Sequence, residues 1–187
     1  MKIIVIGSST GGPYILEQIF SKFPLIPAVI IIVQHLPISF TQTFCIQIRA
    51  LTKMNVVVPT PGYVLHEGEI LIAPAGVHMI LEKNRFIAFE DGEKVHGVKP
   101  AVDKTMISLR QRGDDHLAGV VLTGMGQDGA AGIVHIRNLG GYTLVQDPDT
   151  APIKSMPQSA IDTGKVQDIL APPKITQALI RFGTGQS

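Results

Sequence analysis

A single cysteine, Cys45, stands in a chain of 187 residues. That count excludes an intrachain disulfide framework and leaves a cysteine-ligated zinc site without a ligand set. Charge is scarce too: Asp, Glu, Lys and Arg make up 17 % of the chain, and the formal net charge is +1. Lys and Arg are scattered, with nothing denser than the alternating pair Arg110 and Arg112. There is thus no phosphate-tracking stripe and no electrostatic reason to expect nucleic acid or an anionic membrane as partner. Long apolar runs are missing as well. The densest, Ala28 to Val33, is of strand length, far below the roughly 18 residues of a membrane span. The opening Met1-Lys2-Ile3-Ile4-Val5-Ile6-Gly7 lacks the length and the small-residue cleavage site of a signal peptide. A soluble, reducing, cytoplasmic setting without membrane insertion is the expectation.

Hydrophobic residues, by contrast, supply 45 % of the chain, enough for one compact domain spanning residues 1–187. Short runs of Ile and Val alternate with helical patterns. Ile3 to Ile6 and Ala28 to Val33 read as strands. Between them Ile15, Ile19, Phe20 and Phe23 recur at helical spacing, with Pro13 suited to a first turn. Phe40, Phe44, Ile48 and Leu51 suggest a second helix. The middle reads differently. Glu69 to Ala73 and His78 to Leu81 flank Pro74-Ala75-Gly76, and Phe86 to Phe89 follows the turn Glu82-Lys83-Asn84. These residues predict an antiparallel excursion near one edge. Val102, Met106 and Leu109 predict a helix, Gly119 to Leu122 a strand, and Ile133 and Ile136 another helix. Tyr142 to Val145 predicts a further strand, and Ala178, Leu179 and Phe182 a terminal helix. The expected fold is α/β: a doubly wound, mostly parallel sheet with helices on both faces and an antiparallel β-hairpin near one edge.

In open parallel sheets, ligands bind beyond the carboxyl ends of the strands. Three predicted strand ends carry reactive groups: Ser9 in Gly7-Ser8-Ser9-Thr10-Gly11-Gly12, His35 in Gln34-His35-Leu36-Pro37, and Asp128 in Thr123-Gly124-Met125-Gly126-Gln127-Asp128-Gly129. A serine hydroxyl is a poor nucleophile until a base takes its proton, and neutral imidazole suits that task near neutral pH. A carboxylate on the other ring nitrogen fixes the tautomer and stabilises the imidazolium. Gly7, Ser9 and Gly11 also fit the G-x-S-x-G strand-to-helix turn. Backbone N–H groups near Thr10 and Gly11 are then natural oxyanion donors. The chain order Ser, His, Asp differs from that of α/β-hydrolases, so an ordinary lipase or esterase is not indicated.

Other uses of these residues stay open at this stage. The Gly7 to Gly12 loop could cradle the phosphate of a nucleotide. No Gly-Lys-Ser/Thr follows it, however, and the second strand ends in Gln34-His35 where a dinucleotide fold has an acidic residue. Ser8 is an adjacent candidate nucleophile. His66, His96, His116 and His135 read as surface residues, His78 as structural, Asp103 as serving a helix N-terminus, and Cys45 as a small core residue. The His and carboxylate spacings suggest no metal and no cofactor.

These segments resemble the catalytic domain of the CheB-type protein-glutamate methylesterases of chemotaxis. The similarity rests on Gly7 to Gly12, Gln34-His35-Leu36-Pro37, Phe40-Thr41 with Phe44, Ile72-Ala73-Pro74 with His78-Met79, Pro100-Ala101-Val102-Asp103, Leu122 to Gly129, and Met156-Pro157. It implies a triad of Ser9, His35 and Asp128, with Thr10, Gly11 and Met125 lining the site and the Met125 N–H as a further oxyanion donor. It also implies hydrolysis of methyl esters on glutamate side chains of chemoreceptors, releasing methanol, and deamidation of selected receptor glutamines. Members commonly carry a phosphorylatable receiver domain first. Here the first strand starts at Ile3, so, unless the chain is a fragment, control by phosphorylation in cis is expected to be absent. A receptor-binding adaptor that no longer catalyses is the alternative within that resemblance. Two departures stand out: Ser155 replaces the glycine usual before Met-Pro, and Ala101 stands where serine is frequent.

Overall fold

The computed structural model of the chain describes residues 1–186. Nine strands and six α-helices follow in the order β1 (Lys2–Ser8), α1 (Gly12–Phe20), β2 (Val29–Gln34), α2 (Thr41–Arg49), β3 (Asn55–Val57), β4 (Glu69–Ile72), β5 (His78–Glu82), β6 (Phe86–Glu90), α3 (Val102–Ser108), β7 (His116–Val121), α4 (Ala130–Asn138), β8 (Tyr142–Gln146), α5 (Ser155–Asp162), β9 (Asp168–Leu170) and α6 (Pro172–Thr184). Seven strands form one sheet in the order β3-β4-β2-β1-β7-β8-β9, and every pairing within it is parallel.

The sequence reason is the apolar run. A strand covered on both faces cannot alternate with polar residues, and β2 is buried at all six positions. Along β1, Ile4 and Ile6 enter the layer made with α1, α2 and α6. Ile3 and Val5 enter the opposite layer, with α3, α4 and α5. Each helix donates one stripe to this arrangement: Ile15, Leu16, Ile19 and Phe20 from α1, and Val102 and Met106 from α3.

The antiparallel hairpin is present as a separate two-stranded sheet, β5 with β6. It lies against α3 because that helix offers it polar partners as well as an apolar face. Thr105 Oγ1 donates to the Met79 carbonyl at 2.6 Å, and Ser108 Oγ accepts from the Leu81 N–H at 2.9 Å. Glu69 to Ala73, grouped with this excursion on sequence, instead supplies β4, an interior strand of the parallel sheet.

The chain leaves β1 toward β2 on one side and later resumes at β7 on the other. That reversal makes a crevice at the carboxyl ends of β1 and β7, where parallel sheets bind ligands. Register brings the ends level, with Gly7 opposite both Val33 and Val121. Whatever follows these three strands is therefore forced together.

Near the other end of β7, the buried Asp115 accepts hydrogen bonds from Arg85, Asn84 and the Met1 amine. Burial alone raises a carboxyl pKa, but these donors outweigh it and hold Asp115 down to about 2. A depressed carboxylate contributes stability above its unfolded value and loses it as pH falls through the folded one. The urea midpoint is thus expected to fall between about pH 4 and pH 2, and Asp115→Asn should flatten this segment. An unchanged slope in the variant would contradict the assignment.

Candidate active site

The ladder of the central strands runs on into the loops. The His35 N–H donates to the Ser8 carbonyl at 3.0 Å, and the Ser9 N–H donates to the Thr123 carbonyl at 3.0 Å. Ser9, His35 and the 123–129 loop thus lie side by side at the crevice. Gln34 ties the seam from below: its side-chain amide donates to the carbonyls of Ser9 (2.9 Å) and His35 (3.0 Å). Its oxygen accepts the Ser8 hydroxyl at 2.6 Å. Ser8 is fully buried with its proton committed, which removes it as a nucleophile. Ser9 is partly exposed and Thr10 is exposed, and no hydrogen bond occupies the Ser9 hydroxyl among the described residues.

Glycine is required at two points here. A Cβ on Gly12 would sit 2.0 Å from the tied Gln34 oxygen. On Gly124 it would sit 2.7 Å from the Ser9 Cβ and 2.2 Å from Met156 Sδ. The left-handed residue of the turn is Gly11 (φ 81°), and Ser9 itself does not have positive φ. The turn therefore differs from a strained nucleophile elbow; α1 starts directly after it with no acidic residue in its first turn. Its positive end is thereby directed toward the crevice.

His35 and Asp128 meet: Nε2 lies 2.8 Å from Oδ2, and the two side chains are 10 % and 2 % exposed. Asp128 is fixed by more than the imidazole. Oδ2 also accepts from the Val102 N–H (2.7 Å) and Oδ1 from the Asp103 N–H (2.9 Å), the first N–H groups of α3. A carboxylate accepting there can only receive a proton-bearing Nε2, which assigns the basic lone pair to Nδ1. Nδ1 is buried and meets no protein partner among the described residues. The carboxylate thus meets Nε2, where the usual triad has it on Nδ1.

Asp103 reciprocates across the helices. Its Oδ1 accepts from the N–H groups of Gly129 (3.0 Å) and Gly132 (2.7 Å), at the start of α4. As expected it serves a helix N-terminus, though that of α4 and not of its own helix. Burial pushes the Asp103 carboxyl up, the Gly132 N–H draws it partly back, and the neighbouring Asp128 charge adds to the rise. His96 is exposed, as its surface reading implies, yet it contacts Asp103 Oδ2 at 3.1 Å and Gln127 at 3.4 Å. Its role next to the 123–129 loop carried no sequence signal. His78 is structural: fully buried, it links the Glu93 carbonyl to the Ala101 N–H just before α3. His96, Asp103 and Asp128 place three donor atoms within 4.8 Å of one another. Both oxygens of Asp128 and Oδ1 of Asp103 accept the helix N–H groups described, while Asp103 Oδ2 faces His96.

Of three consecutive N–H groups in the next loop, Gly124 donates to the Ile153 carbonyl (3.1 Å) and Gly126 to Ser155 Oγ (3.1 Å). Met125 N–H lies between them without a protein acceptor among the described residues. The N–H groups of Thr10 and Gly11 are likewise uncommitted, while those of Ser9 and Gly12 are spent. On the segments that follow β2 and β7, the side chains of Ile38, Phe40 and Met125 are exposed, the last 70 % accessible. Grooves of 420 and 490 Å³, lined in part by Tyr14 and Phe44 and by Phe86 and Phe89, border none of Ser9, His35 or Asp128.

Comparison with known proteins agrees with this fold. The family model for CheB methylesterase matches residues 4–179. A protein-glutamate methylesterase/protein-glutamine glutaminase of Symbiobacterium thermophilum is 37 % identical over 181 residues, covering 96 % of this chain and 50 % of that protein. Its counterpart in Pyrococcus horikoshii is 40 % identical over 182 residues, covering 95 % and 50 %. The chain thus spans about half the length of the curated relatives it matches. The crystal structure of the Thermotoga maritima CheB methylesterase catalytic domain superposes with a TM-score of 0.88 at 32 % identity, covering 96 % of this chain and 97 % of that one. No helix among the described residues is long and apolar enough to cross a membrane. A match running from β1 through the loop before α4 into α6, together with the shared fold, makes this chain a member of the CheB methylesterase family.

Proposed function

We propose that the chain is a serine hydrolase that removes methyl esters from glutamate side chains of chemoreceptors and deamidates selected receptor glutamines. The observation that carries the reading is the 2.8 Å contact of His35 Nε2 with the buried Asp128, set level with Ser9 at the switch of the parallel sheet. The names of the relatives agree with both activities.

The geometry supports the following mechanism. Ser9 Oγ attacks the glutamyl carbonyl carbon, and its proton passes to His35 Nδ1. Asp128 holds the ring by Nε2 and stabilises the positive charge that develops. The carbonyl oxygen, now an oxyanion, is received by the free N–H groups of Met125 and of Thr10 and Gly11 at the start of α1. His35 then protonates the leaving group, methanol from an ester or ammonia from an amide, and an acyl-enzyme on Ser9 remains. Water, deprotonated by Nδ1, attacks the acyl carbon; the bond to Ser9 Oγ breaks, Oγ takes the proton back from Nδ1, and the free glutamate leaves. An open site suits a side chain presented on a large protein. A phosphate-cradling use of the same loop is poorly served, since Ser9 N–H and Gly12 N–H are already bonded within the protein.

The test is methanol release from methylated receptor membranes, followed together with ammonia release from receptor glutamines. Both products are expected from the wild type and neither from Ser9→Ala. Receptor binding without either product would favour an adaptor.

A further inference from the structure

Met125 sits between two glycines, Gly124 and Gly126, the latter with φ 95°. Such a stretch has little rigidity of its own, so an N–H meant to receive an oxyanion needs outside support. That support comes from the start of α5. Ser155 Oγ donates to the Gly124 carbonyl at 3.0 Å and accepts from the Gly126 N–H at 3.1 Å. One hydroxyl thereby grips both sides of Met125. The Met156 N–H, also in the first turn of α5, donates to the same Gly124 carbonyl at 3.0 Å.

The Gly124 carbonyl and the Met125 N–H belong to one peptide group. Because that group is planar and trans, fixing the direction of its C=O fixes the N–H pointing the opposite way. Two donors on the carbonyl also polarise the peptide, which strengthens its N–H as a donor.

We propose that Ser155 is a positioning residue that aims the Met125 N–H at the developing oxyanion, a role that rests on the hydrolase reading above. The serine takes the place of a glycine, which could make neither bond. Ser155 touches no reacting atom; it acts through the 124–125 peptide.

The experiment measures kcat and KM of the 187-residue chain on a helical peptide carrying one glutamate γ-methyl ester. Wild type, Ser9→Ala, Ser155→Ala and Ser155→Thr are compared, with thermal melts as a folding control. Losing an oxyanion donor outright costs about 10²- to 10³-fold in kcat. Ser155→Ala leaves Met156 N–H in place, so kcat is expected to fall about tenfold with KM little changed. Ser155→Thr, which restores the hydroxyl, should recover most of that loss. Equal kcat in wild type and Ser155→Ala, a change confined to KM, or no recovery with threonine overturns the positioning role alone. An inactive wild type, or an active Ser9→Ala, overturns the hydrolase reading and this inference with it.

Discussion

Ser9→Ala is expected to lower turnover of glutamyl methyl esters by roughly 10⁴- to 10⁶-fold, with little change in receptor affinity. The residual rate would come from the oxyanion donors and binding, which the substitution leaves in place. Folding should be untouched, because no hydrogen bond occupies the Ser9 hydroxyl among the described residues. Ser8→Ala makes the opposite pattern. Its hydroxyl is buried against Gln34 at 2.6 Å, so its loss should cost about 1 kcal/mol of stability while the chemistry survives. Steady-state kinetics and urea unfolding on the two variants separate the roles. A destabilised but active Ser9→Ala would reverse the assignment.

Asp128→Asn is the second large effect. The carboxylate satisfies three donors: His35 Nε2, Val102 N–H and Asp103 N–H. An amide has one oxygen to offer, and its NH₂ must face another donor. If the oxygen takes the place of Oδ1, it keeps only the Asp103 N–H; the NH₂ then faces His35 and the Val102 N–H, the imidazole flips to the other tautomer, and Nδ1 loses its lone pair. If the oxygen turns to His35, α3 starts with an N–H opposed by an amide. Turnover is expected to fall about 10⁴-fold, with a stability loss of about 1–2 kcal/mol. Kinetics and unfolding measured together check this, since loss of stability alone would mark Asp128 as a helix cap and nothing more.

Much of this was legible in the sequence because the central strands are uninterrupted apolar runs, of Ile and Val in β1 and β2 and from Leu117 to Val121 in β7. Those runs exist only where both faces are covered, so β1, β2 and β7 could be recognised and their ends located. Ser9, His35 and Asp128 follow from that, since each stands just past such an end. The edges were not legible. β3 and β9 are three residues each, too short for any periodicity to show. α5 buries only Met156, Pro157 and Ala160, and it starts with Ser155, a residue that reads equally well as loop. β4 was misplaced because Pro74-Ala75-Gly76 resembles a hairpin turn, whereas the loop instead carries the chain out of the parallel sheet to β5.

Within the site, residue types were visible and their atom-level partnerships were not. Nothing in the spelling says that Asp128 takes Nε2, because both nitrogens belong to one side chain. Nor does it show that Asp103 and Asp128 exchange caps between α3 and α4, an arrangement made by the packing of two helices distant in sequence. Choosing Ser9 over Ser8 rested on motif register; the fold adds the physical reason, which is burial of Ser8 against Gln34.

The central claim is that Ser9 is the nucleophile, and covalent trapping tests it most directly. A fluorophosphonate probe should phosphonylate the wild-type chain once, and trypsin should place the adduct on the peptide from Ile3 to Lys22. Fragmentation within that peptide is predicted to locate it on Ser9, with no adduct in Ser9→Ala. Labelling at Ser8, or equal labelling of Ser9→Ala, would contradict the account.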